Sequence, residues 1–174
     1  FSAKPMRSLL VVGIAKDSAN RRGFEDAMVA QLGARGVKAT PSYRYVPESG
    51  PASQQQLLDA LVGSGATGVL LTRVTAVSQS VQVTPGMYLG PPVRYGFGGF
   101  YGYYGGMWAG SYYAPPRVQV QDNVVADTRL FEAKDFALVW SASTTTTPGA
   151  QSTAALFEQF ATLITATLAG DGLI

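Results

Sequence analysis

The chain has 174 residues, of which 47% are hydrophobic and 14% charged. That composition suits one folded domain, residues 1–174, with enough length for a sizeable core. It contains no Cys and no His, which excludes thiol and imidazole nucleophiles, Ser-His-Asp triads, disulfides, and zinc or haem sites built on either residue. No cofactor or metal is expected. The formal charge is +2 and the longest basic run is Arg21-Arg22, so there is no footprint for a nucleic-acid backbone.

Ser8 to Ala15 reads as a central strand, because Leu9, Leu10, Val11, Val12 and Ile14 are apolar on both faces. Asp17, Ser18 and Asn20 can cap the next helix, from about Arg21 to Arg35, which Gly36 ends. Phe24, Ala27, Met28 and Leu32 form its apolar face. The pair Arg21-Arg22 and the acids Glu25 and Asp26 are expected in solvent.

Val37 to Tyr45 is a second strand, placed at an edge by Pro41. Ser53 caps a second helix bearing Leu57, Leu58, Leu61 and Val62, and Gly63-Ser64-Gly65 stops it. Gly68 to Val83 is a long or bent strand. Arg117 to Phe131 alternates, with Val118, Val120, Val124, Ala126, Thr128 and Leu130 on one face and Arg117, Gln119, Gln121, Asn123, Asp127 and Arg129 on the other. That predicts an antiparallel strand wet on one side. Asp135 to Thr145 returns with Phe136, Leu138, Trp140 and Ala142 on one face. Ser152 caps a last helix carrying Leu156, Phe157, Phe160, Leu163, Ile164 and Leu168.

The predicted fold is therefore α/β (α+β). The order is β-α-β-α-β, a long loop, then β-β-α, giving a mixed sheet with helices packed on it. The loop, residues 85–116, holds nine Gly, five Pro and ten of the nineteen aromatics, with Arg94 as its only charge. The strands near Val83 and Arg117 can pair as a hairpin with the loop at its tip, so the core is expected not to depend on it.

No phosphate-cradling glycine motif follows the first strand. Asp122, Asp127, Glu132 and Asp135 are expected at exposed positions, with no visible carboxylate pair facing across a cleft, so no catalytic residue is assigned and the chain is read as not an enzyme. The aromatic loop has the strongest claim to a site. Tyr95, Phe97, Phe100, Tyr101, Tyr103, Tyr104, Trp108, Tyr112 and Tyr113 offer large contact area with few rotatable bonds, as binding surfaces do. The alternative is that the rings fold over the sheet and pack on themselves.

The Leu9 to Ala15 strand, Asn20-Arg21-Arg22-Gly23-Phe24-Glu25-Asp26-Ala27, Gly65-Ala66-Thr67-Gly68-Val69-Leu70-Leu71-Thr72, and Leu130-Phe131-Glu132-Ala133-Lys134 leading to Leu138-Val139-Trp140-Ser141 together resemble uncharacterised small lipoproteins of the Gram-negative cell envelope. More distantly the layout is similar to the TolB amino-terminal domain, the curli-secretion lipoprotein and the lipoprotein activators of penicillin-binding proteins. The resemblance implies a periplasmic, non-enzymatic protein that binds an envelope protein or associates with itself. It also implies an outer-membrane anchor through a lipidated Cys upstream of Phe1, the sole membrane contact. A glycan or peptidoglycan-binding module, stacking Tyr and Trp faces on sugar rings, is the alternative.

Overall fold

The structure is a computed structural model describing residues 4–47, 50–78, 87–88, 96–109, 113–114, 123–146 and 152–174. Its main sheet has five strands. Strand β1 (Ser8–Ile14) pairs in parallel with β2 (Lys38–Pro41) and with β3 (Gly68–Ser78). Strand β6 (Asn123–Glu132) runs antiparallel to β3, and β7 (Leu138–Thr146) antiparallel to β6. The order across the sheet is β2-β1-β3-β6-β7. The mixed sheet expected from the chain order is thus present. Pro41, which lacks the N–H a ladder needs, ends the edge strand β2.

The helix starts follow from the side chains at their N-caps. Asp17 accepts the Asn20 amide and starts α1 (Ser18–Ala34). Ser53 and Gln56 form a reciprocal capping box at the start of α2 (Gln54–Ser64). Ser152 accepts the Ala155 amide at the start of α4 (Thr153–Gly170). After β2 the chain makes one 3-10 turn, Ser42–Arg44, where the sequence reading continued the strand to Tyr45.

The sheet is covered on both faces. Helices α1 and α4 pack on one: Phe24, Met28, Leu32, Phe160, Ile164 and Leu168 meet Leu9, Val11, Leu70, Ala126 and Leu130. The opposite face, Leu10, Val12, Ile14, Val69, Leu71 and Phe131, is covered by α2 and by a further helix, α3 (Phe97–Ala109). This corrects, at residues 97–109, the reading of the segment 85–116 as a long loop, because those residues are helical. It also corrects the wet face of β6, since Asp127 is buried beneath α3. The alternation in β6 is real, but Asp127 and Arg129 of its polar row point toward Tyr103 of α3.

Either side of α3, the short strands β4 (Met87–Tyr88) and β5 (Tyr113–Ala114) pair antiparallel. The expected hairpin pairing exists between β3 and β6, while Val83 and Arg117 themselves lie outside the described residues. In β7, Phe136 does not share a face with Trp140. Phe136 sits in the turn before the strand with a left-handed φ of 56°, and packs on the α3 side. Trp140 packs on the α4 side and donates its indole N–H to Asp171 at 2.9 Å. Among the described residues no helix is long and apolar enough to cross a membrane.

Candidate functional site

Helix α3 is formed by a sequence that backbone propensity disfavours, FGGFYGYYGGMWA. Its spacing explains the outcome. Phe100, Tyr103, Tyr104 and Met107 recur at the i, i+3, i+4, i+7 interval of a helix face, and all four are buried. Phe97 and Phe100 pack on Phe136, and Phe100 meets Phe131 edge-on at 5.0 Å. The rings therefore fill core space. Of the expected partner-binding residues, Phe100, Tyr103 and Tyr104 are buried, while Phe97, Tyr101 and Trp108 are half-buried. Tyr113 lies in β5, and Tyr95 and Tyr112 fall outside the described residues.

The buried tyrosine hydroxyls of α3 find partners. The Tyr104 hydroxyl accepts the Ala52 amide at 2.8 Å, tying α3 to the segment before α2. The Tyr103 hydroxyl donates to Asp127 Oδ2 at 2.9 Å. The Arg129 guanidinium lies 4.2 Å from the Tyr103 ring centroid, and its Nε is 3.5 Å from the same carboxylate oxygen. Arg73 faces Asp127 directly across the β3–β6 ladder. Burial pushes the Asp127 carboxyl up, opposed by Arg129 and Arg73. Burial pushes the Tyr103 hydroxyl up to about 12.

A second charge cluster lies between α1 and the 3-10 turn. Arg21 and Glu25 are both buried, which corrects the reading of these residues as solvated. They stand one turn apart, with Nε 3.7 Å from Oε1. Glu25 accepts the Gly13 amide at 3.1 Å, the Tyr43 amide at 3.2 Å and the Ser42 hydroxyl. Arg21 donates to the Pro47 carbonyl at 2.7 Å and to Ser42 Oγ at 3.1 Å. Its guanidinium carbon lies 5.7 Å from the Trp108 ring centroid. Burial raises the Glu25 carboxyl, against the lowering effect of Ser42, Gly13 and Arg21. Gly13 permits this approach, since a Cβ there would meet Phe24 Cδ1 at 3.0 Å and Glu25 Cγ at 3.3 Å. The available signal was Arg21 and Glu25 at i, i+4, flanking the apolar stripe of Phe24, Met28 and Leu32.

Both carboxylates are thus held by donors of the chain itself. Asp26 is turned outward and bonds the Tyr43 hydroxyl at 2.5 Å, while Glu132 and Asp135 are exposed, as expected. Asp122 lies outside the described residues. An open groove of about 400 Å³ runs between α1 and α4, past Asn20, Gly23, Ala27 and Phe157. Among the described residues its one charged lining residue is Glu158, and neither buried cluster reaches it.

No family model matches the chain, and no curated protein matches its sequence. Solved structures do. A PelC dodecamer from Paraburkholderia phytofirmans aligns over 96% of this chain and 89% of its own, at 14% identity and a TM-score of 0.53. A single-substitution form of that dodecamer aligns over 95% and 90%, at 12% identity and the same score of 0.53. The lipoprotein GNA1162 from Neisseria meningitidis aligns over 94% and 98%, at 16% identity and a TM-score of 0.48. The chain shares the α/β fold of the PelC subunit.

Proposed function

We propose that this chain is a non-catalytic cell-envelope protein that acts by assembling with itself or with another envelope protein. The observation that carries the reading is the fate of the two buried carboxylates. Glu25 is held by Ser42, Gly13 and Tyr43, and Asp127 by Tyr103 and Arg129. Each is a bracket between elements and is not poised on a cleft, as a general acid or base must be. The sequence resemblance to small envelope lipoproteins supports the compartment and an upstream lipid anchor. The fold shared with a protein that crystallised as a dodecamer supports self-association.

A glycan-binding role would need exposed ring faces, and Tyr103 and Tyr104 are buried. Light scattering on the purified protein, with parallel sedimentation against cell-wall polymer, tests the choice. The expected result is a mass that is a multiple of 18.3 kDa and no polymer binding. A monomer at every concentration that also captures no envelope protein would overturn the proposal.

A further inference from the structure

The geometry points to the outer edge of β7 as an interface between two copies of this chain, pairing antiparallel about a two-fold axis. The inference rests on the assembly reading above and names its surface and partner.

Among the described residues β7 is the outermost strand on its side of the sheet. Its nine residues, LVWSASTTT, contain no charge, no Gly and no Pro. A strand of that length presents roughly 30 Å of backbone N–H and C=O groups along its free side. Natural edges are blunted by Lys, Pro, bulges or shortness, because an open edge recruits another strand. The opposite edge shows those devices: β2 has four residues, begins at Lys38 and ends at Pro41. The one irregularity in β7 is a register shift near its start, between Leu130 and Phe131 of its partner, which leaves Trp140 to Thr146 regular.

Charge decides between the possible occupants. About a two-fold axis the residue at the axis faces its own copy, so a charge there would meet a like charge, which destabilises the pair. An uncharged strand is free of that penalty, and β7 is uncharged throughout. Strand β2 is too short to match it and carries Lys38. A two-fold arrangement is also the commonest closed symmetry, and it satisfies both edges at once. Apolar surface lies on the strand itself, where Leu138 is 36% exposed. Ser141, Ser143 and Thr145 are exposed on the strand's other face, so among the described residues no helix of the same copy covers them there.

The absence of native Cys makes the test clean. Single substitutions Ser141→Cys, Ser143→Cys and Thr145→Cys are placed in the full chain and oxidised, and each variant is checked for an unchanged unfolding midpoint. In an antiparallel two-fold pair only the position nearest the axis faces itself, so covalent dimer should form at one of the three and fall off sharply at the others. Ser143→Lys with Thr145→Lys should raise the dimer dissociation constant about tenfold or more. Cross-linking only when Lys38→Cys is mixed with Ser143→Cys would show head-to-tail pairing with β2 and overturn the inference. A multimeric mass with no β7 cross-link and no effect of the lysines would overturn it too, while leaving the assembly reading intact. A monomeric mass would sink both.

Discussion

At the residue scale, two buried charge clusters hold the elements in register. Removing the Tyr103 hydroxyl leaves Asp127 with one donor fewer. Tyr103→Phe should therefore cost about 1–3 kcal/mol, measured by denaturant unfolding. The same variant separates a pH effect. The folded hydroxyl titrates near about 12 against about 10 in the unfolded chain. The unfolded state loses its proton first, so this stability is complete below pH 10 and is lost as pH rises through 12. Wild-type protein should lose stability across that window, and Tyr103→Phe should lose less. Glu25 behaves alike at the acid end. Its folded pKa is raised by burial, so its contribution is present below about pH 4.3 and declines as pH rises through the folded value. Glu25→Ala strands Arg21, itself 1% exposed, and should cost about 3–5 kcal/mol.

At the element scale, the caps, the strand alternation and the apolar stripes were legible because each is a local pattern. Asp17, Ser53 and Ser152 stand where helices begin, and Pro41 stands on an edge. Helix α3 was not, because its glycines argue against a helix at up to about 1 kcal/mol each relative to Ala. Burial of four large side chains outweighs that cost. The stripe at 100, 103, 104 and 107 was present in the sequence, but the glycine count masked it. Likewise Asp127 looked solvated because nothing local shows that a distant helix will lie over it. Two consequences are measurable. A Cβ at Gly102 or Gly105 meets nothing within 4 Å, so Gly102→Ala and Gly105→Ala should each stabilise the protein by about 0.5–1 kcal/mol. Phe100→Ala should cost about 3–5 kcal/mol. Replacing residues 86–115 by a short turn should give a molten product, contrary to the expectation that the core stands without them.

At the scale of the whole molecule, the roles of two surfaces are exchanged relative to the sequence reading. The aromatic segment, expected to bind, closes the second face of the sheet. Among the described residues the uncharged strand β7 ends the sheet, and it is the surface proposed to pair. Amide hydrogen exchange at low and high protein concentration tests this exchange most directly. The account predicts that Phe100 to Met107 exchange slowly at both concentrations, because their protection comes from the core of one copy. It predicts that the outward-pointing amides between Ser141 and Thr145, every second one along a strand whose inner side pairs with β6, exchange fast in dilute protein and become protected as concentration rises. Fast exchange in α3 that slows only on concentration, with β7 unchanged, would contradict it and return binding to the aromatic helix.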